Sequence, residues 1–297
     1  MATLFNENTS KLISLPTNSN LINYSVLKEF YSPSPFRSFS IKYVVEGSEL
    51  YSVNGNKYQI ANQQYLLANK HSEGFVEVDS KKSVTGICID VAPDILSEVV
   101  ASYLKPDTTY ADLNLDHFFT SSDFLENRYD AKNTHLGALM IQLETYLSKN
   151  PNHSLDSSKE FYYTLCEKII EDHIPVFKEF QSVKAVKTET KKTLLRKLMR
   201  GKEYINNFFK EDLSIEQIAK EVGLSEYHFF RLFKSVYKLS PHQYIIQKRL
   251  YFSKQLLQNE QVPIATVAML TGFADIHSFS KSFKKHFGFA PSHLGKK

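Results

Sequence analysis

Two stretches decide how this chain folds. Ile215-Glu216-Gln217-Ile218-Ala219 is followed by Gly223-Leu224, and forty-nine residues on, Ile264-Ala265-Thr266-Val267-Ala268 is followed by Gly272-Phe273. The echo continues with Phe233-Lys234 against Phe283-Lys284 and Ser240-Pro241 against Ala290-Pro291, now fifty residues apart, so one residue is inserted after the glycine. In each opening pentapeptide an isoleucine, a second aliphatic residue and an alanine fall at i, i+3 and i+4, on one face of a helix. The small alanine lets a neighbouring helix cross closely. The glycine supplies the turn conformation that other residues resist. Downstream, Phe229, Phe233 and Val236 form an inward stripe in the first unit, and Phe279, Phe283 and Phe287 in the second. A short helix, a glycine turn and an aromatic-striped helix make a helix-turn-helix, and the pattern occurs twice.

The two units are joined by a segment from about Pro241 to Gln258 that reads as a helix, with Tyr244, Ile245, Arg249, Ser253, Leu256 and Leu257 along it. Pro241 and Pro263 mark helix starts, where a missing N–H costs nothing. A helix of this length spans about 27 Å. With packing offsets, the two striped helices are expected about 34 Å apart, one turn of DNA, so that both enter successive major grooves.

The charge distribution agrees. The whole chain has a formal charge of only +4, but residues 188–297 hold 19 Lys and Arg against 9 Asp and Glu, a net of +10. The remaining 17 basic and 23 acidic residues leave −6 on residues 1–187. Such asymmetry points to a polyanion-facing module attached to a neutral or acidic one.

Residues 195–295 resemble the DNA-binding domain of the AraC/XylS family of bacterial transcription regulators. The resemblance rests on the two units, on the bridging Lys248-Arg249-Leu250…Leu256-Leu257, and above all on Gly272-Phe273, Phe279, Phe283-Lys284 and Gly288…Pro291. It implies double-stranded DNA as target, RNA polymerase and a second copy of the chain as partners, and base-reading side chains on the second helix of each unit, opposite the phenylalanines. That face offers Glu226, Tyr227, Phe230 and Arg231 in the first unit, and Ile276, His277, Ser280 and Lys281 in the second. Arg231 is the leading base contact, because arginine reaches guanine O6 and N7 with two parallel bonds. Phe230 replaces the polar residue the family often has there. Lys234, Lys284 and Lys285 are expected on phosphates, positioning the domain without reading sequence.

The acidic half reads as α+β. From residue 36 to 92, Phe39, Ile41, Tyr43 and Val45 alternate along one strand, Leu50, Tyr51 and Val53 lead into the hairpin signal Asn54-Gly55, and Tyr58, Ile60, Tyr65, Leu66, Leu67 and Val84 to Val91 supply further strands. Short strands with tight turns predict a sandwich or jelly-roll barrel. The Gly47, Asn54-Gly55 and Tyr58 pattern is similar to the cupin-like effector domain that many members of the family carry. Helices are expected from Pro93 to Leu104, along the stripe Leu136, Leu139, Met140, Leu143 and Leu147, and from Phe161 to Ile170 after the capping residues Asp156-Ser157-Ser158. The leucine stripe fits either the core of this half or a dimer seam. Tyr43, Tyr51, Tyr58, Tyr65 and Phe75 either line a pocket for a small-molecule effector or are core.

The 297 residues suggest about two domains. We place them at 1–185, for effector sensing and dimerisation, and 186–297, the all-α double helix-turn-helix, with the polar, glycine-free stretch Val183 to Thr193 between them as a helical or semi-rigid connector. No apolar run is long enough for a spanning helix, and the N-terminus lacks the basic and apolar regions of a secretory signal, so no membrane association is expected. Cys88 and Cys166 form no CxxC pair and read as buried thiols of a reducing cytoplasm. A single histidine, His71, in residues 36–92 argues against a metal-binding barrel. With no HExxH, GxSxG or P-loop, neither an enzyme nor a cofactor is expected. The alternatives are a regulator without an effector, controlled by abundance or a protein partner, and a cupin-type enzyme fused to a DNA-binding tail.

Overall fold

The computed structural model describes residues 2–6, 20–104, 114–149, 158–259 and 262–294. The chain divides into two compact units, residues 1–178 and 179–297.

The first unit is built on antiparallel strands that roll into a nearly closed barrel. They are β1 (Ala2–Asn6), β2 (Leu21–Pro33), β3 (Phe39–Glu46), β4 (Ser48–Val53), β5 (Asn56–Ala61), β6 (Gln64–Ala68), β7 (Gly74–Val91) and β8 (Asn127–Asp130). The order is β1-β2-β7-β3-β6-β8, with β4 between β5 and β7; only the β1–β2 pair is parallel among these. Curling is forced by β7. This 18-residue strand pairs with β4 through Gly74–Glu77 and with β3 through Thr85–Val91, while β2 runs along most of its other edge. Asn54-Gly55 closes the β4–β5 hairpin as expected. The strand β2 lies before the region that alternation singled out, and its half-buried residues show no clean period.

An inner cluster of Phe36, Val44, Tyr51, Val53, Ile60, Leu66, Ala68 and Val76 draws on five strands and lines the inner face of the barrel. The outer face of β3 is buried too: Phe39, Ile41 and Tyr43 are as covered as Val44. The expected half-buried alternation is therefore absent there, because helices cover the strand from outside.

Those helices are α1 (Pro93–Tyr103), α2 (Leu115–Thr120), α3 (His135–Lys149) and α4 (Lys159–Ser182), in which the division between the units falls. Pro93 is the first residue of α1. Leu136, Met140, Leu143 and Leu147 are buried within the chain and Leu139 is half-buried, so the stripe on α3 packs as core. The helix expected to end at Ile170 runs on to Ser182 through Pro175. Ser158 Oγ accepts from the Phe161 N–H at 3.3 Å; Asp156 and Ser157 lie outside the described residues.

The second unit is all helix: α5 (Thr188–Phe208), α6 (Ile215–Glu221), α7 (Glu226–Tyr237), α8 (Pro241–Asn259), α9 (Ile264–Leu270) and α10 (Ile276–Phe287). The stretch Thr188 to Thr193, expected in the connector, is the first turn and a half of α5. Among the described residues no helix is long and apolar enough to cross a membrane.

Candidate nucleic-acid interface

Each half of the second unit is assembled by the same local chemistry. α6 and α9 are both seven residues long, and α7 and α10 both twelve. Ser214 and Gln217 close a reciprocal capping box at the start of α6, with both N–H···O contacts at 3.1 Å. Ser225 Oγ accepts from the His228 N–H to start α7. Asp275 does the corresponding work for α10, accepting from the N–H groups of His277 and Ser278 at 2.8 and 2.7 Å. Those hydrogen bonds hold the Asp275 carboxyl below its ordinary range. The inserted residue is Ala274, since Leu224-Ser225 occupies the place of Phe273-Ala274-Asp275. α9 starts one residue after Pro263, which is its N-cap and not its first residue.

Both turn glycines have positive φ, +64° at Gly223 and +83° at Gly272, as a left-handed turn requires. Their surroundings differ. A Cβ on Gly272 would lie 2.5 Å from the Lys210 carbonyl oxygen, whereas at Gly223 the nearest atom would be the Lys197 Nζ at 3.5 Å.

The phenylalanines point inward as expected. Phe229, Phe233, Phe279 and Phe283 are fully buried, with ring centroids 5.4 Å apart in the first pair and 5.5 Å in the second. Two supports were not read from the sequence. Gly201 in α5 faces Phe229 so closely that a Cβ would come within 2.7 Å of the ring; a glycine in an otherwise good helix former was the available signal. Arg249 on α8 donates from Nε to the Phe209 carbonyl and from Nη2 to the Glu211 carbonyl, each at 2.6 Å. It thereby satisfies the carbonyls of the cap and of the turn that follows α5.

With the aromatic stripe buried, the opposite faces of α7 and α10 are left to solvent. Glu226, Tyr227, Phe230, Arg231 and Lys234 are exposed on α7, and Ile276, His277, Lys281, Lys284 and Lys285 on α10, with Ser280 half-buried. Every DNA-contact candidate thus lies on one of two equivalent faces. Arg231 and Tyr227, one helical turn apart, are paired: Nη1 donates to the tyrosine hydroxyl at 3.1 Å and the guanidinium lies 5.5 Å from the ring centroid. The pair restricts the arginine before any ligand arrives.

The effector candidates do not converge on one face. Tyr51 belongs to the inner barrel cluster, and Tyr58 packs against it. Tyr51 donates to Glu49 at 2.6 Å, and Tyr58 donates to the Glu126 carbonyl at 3.2 Å. Tyr43 and Tyr65 alternate out of that face; Tyr43 donates to Glu144 on α3, and Tyr65 donates to Thr134 at 2.9 Å. Phe75 is half-buried beside exposed Tyr31. Burial raises the phenol pKa of Tyr43, Tyr51 and Tyr65, so all three stay neutral. Among the described residues no group of three or more His, Cys, Asp and Glu is placed to hold a metal ion.

This geometry is that of a tandem helix-turn-helix domain. The family described as "Helix-turn-helix domain" matches residues 218–297. The chain is 28% identical over 182 residues to "Probable transcriptional regulator LumQ" of Photobacterium leiognathi, covering 61% of this chain and 68% of that one. It is 36% identical over 95 residues to the Msm operon regulatory protein of Streptococcus mutans, covering 32% of this chain and 34% of that one. A solved AraC-type DNA-binding domain from Chromobacterium violaceum is 30% identical, with a TM-score of 0.32, over 33% of this chain and 88% of that one. Residues 218–297 thus carry an AraC-type helix-turn-helix domain, the DNA-binding module of transcription regulators.

Proposed function

We propose that the chain reads DNA with α7 and α10 in successive major grooves and that its first unit senses a small-molecule effector. One observation carries the DNA reading. Two twelve-residue helices, each locked by buried phenylalanines, present equivalent free faces at the two ends of the 19-residue α8. In this reading Arg231, with Tyr227 beside it, contacts guanine; Glu226, His277, Ser280, Lys281 and Ile276 contact other base edges, isoleucine by way of a thymine methyl. Lys234, Lys284 and Lys285 contact phosphates. RNA polymerase and a second copy of the chain are its partners, the copy through the region 1–185, and it works in the cytoplasm without enzymatic activity.

The effector seat we assign to the inner barrel face, with Tyr51 and Tyr58, in preference to Tyr43, Tyr65 and Phe75. The carbonyl oxygen of the Asn23 side chain, on the β2 residue opposite Cys88, is buried with no hydrogen-bond partner among the described residues. A molecule in the barrel would satisfy it.

In vitro selection of duplex DNA by the intact chain tests the first half. The expected product carries two conserved blocks about one helical turn apart; a single block, or none, would remove the two-groove reading. A thermal-shift screen of the intact chain tests the second half. If no compound raises the unfolding temperature while DNA binding is complete, control passes to abundance or a protein partner.

A further inference from the structure

The inner barrel face carries a pair of reactive side chains that DNA recognition does not use. The β3–β7 register sets Lys42 directly across from Cys88 and Ser40 across from Asp90. Lys42 Nζ lies 2.6 Å from Cys88 Sγ and 3.5 Å from Asp90 Oδ1, and Ser40 Oγ donates to the same carboxylate oxygen at 2.5 Å. The lysine side chain is 5% exposed. Cys88 is half-buried as a residue while its thiol is enclosed, so a small oxidant reaches the sulfur only as the barrel breathes.

The nitrogen–sulfur distance is the informative quantity. It is closer than an ordinary nitrogen–oxygen hydrogen bond, about 2.9 Å, although sulfur is the larger atom. It is also the span that a single oxygen atom makes between nitrogen and sulfur through two single bonds. Strand pairing holds the two Cβ atoms in place, and Asp90 holds the amine against the thiol. We propose that Lys42 and Cys88 form an oxidation site that closes to a covalent Nζ–O–Sγ cross-link between β3 and β7.

Hydrogen peroxide suffices as the oxidant. One equivalent converts the thiol to the sulfenic acid: the S–O bond forms, the peroxide O–O bond breaks and water leaves. Asp90 and Cys88 favour the charged Lys42 ammonium against its burial, so its proton passes to water only transiently, and that frees the amine. The sulfenic oxygen then bonds to Nζ. One hydrogen is lost from nitrogen and one from oxygen, and the two electrons reduce a second peroxide to two waters. One amine, one thiol and two peroxides thus give the cross-link and three waters. Burial pushes the Cys88 thiol up to about 12, with the Lys42 charge acting in the opposite sense. The first step is therefore slow at neutral pH and calls for sustained exposure. Cys166 on α4 is fully buried and serves as the internal control.

The cross-link is independent of the regulator reading, and its test needs no DNA. The intact chain is held in excess hydrogen peroxide overnight, then analysed by intact mass and peptide mapping before and after dithiothreitol. The expected product is about 14 Da heavier, from one oxygen gained and two hydrogens lost, joins the peptides containing residues 42 and 88, and reverts on reduction. Its unfolding temperature rises, and neither change occurs in Cys88→Ser. Lys42→Arg is a second control where it folds; the wild-type peptide map decides without it. Oxygen added to Cys88 alone, a direct S–N bond seen as a loss of about 2 Da, or an unmodified Cys88 would each overturn the proposal.

Discussion

The two helix-turn-helix units share one plan, and the outward faces of their second helices differ more than the buried ones. Helix lengths, buried phenylalanines and positive-φ glycine turns match between them. The outward faces do not. α7 carries a glutamate, a paired tyrosine and arginine, and one lysine; α10 carries three lysines and neutral small or apolar groups. The buried side of each helix answers to its own packing, which tolerates little change. The exposed side is free of that constraint, and in the proposed reading it answers to DNA. The difference suggests a division of labour, with the first unit reading sequence and the second contributing more of the electrostatic attraction.

The largest expected effect breaks the likeness of the turns. Gly272→Ala combines an unfavourable φ with a clash against the fixed Lys210 carbonyl and should cost about 2–4 kcal/mol. Gly223→Ala has the φ penalty alone and should cost about 1 kcal/mol. Urea unfolding of both variants measures the gap, and equal costs would mean that the second turn relaxes freely.

Next comes the reading face. Arg231→Ala should lose about 1–3 kcal/mol on the selected site and relax selection at one or two base pairs, while Lys281→Ala at the equivalent position should change selection less. Titration against selected and random duplexes checks both. Equal losses on the two DNAs would deny Arg231 a base contact.

Removing Lys284 and Lys285 together should weaken selected and random DNA alike and lower the slope of log K against log salt by about 2. An unchanged slope would take both lysines off the phosphates.

The smallest effect concerns the caps. The Asp275 carboxyl titrates lower in the folded chain, so its contribution to stability is complete above its unfolded value and is lost as pH falls through the lowered one. Ser225 does not titrate. Acid should therefore loosen α10 before α7, seen as earlier amide exchange in α10 during an acid titration. Asp275→Asn should abolish that order.

How much was legible in advance follows from how local each signal is. Phe229, Phe233, Phe279 and Phe283 announce their helices because period and turn glycine lie within a few residues of each other. α5 was not announced, since its buried Leu195, Leu198 and Ile205 are diluted among lysines and arginines. Arg249 was quoted as part of the bridge, but its two carbonyl partners lie about forty residues away in sequence. In the first unit the strands from β3 to β7 were visible, while β2 and the four-residue β8 were not. The five aromatic candidates illustrate the limit best. Alternation says that Tyr43 and Val44 face opposite ways, but with both faces buried it does not say which looks inward.

The sequence by itself determined the tandem helix-turn-helix, the exposed faces of its second helices and the split of charge, because helical period, turn chemistry and charge are properties of neighbouring residues. Tertiary structure alone decided that the α3 stripe is core, that Tyr51 and Tyr58 share the barrel interior while Tyr43 and Tyr65 do not, and that Lys42 meets Cys88 across two strands. Those outcomes depend on strand register and on what covers each face, and both are set by contacts between residues far apart in the chain.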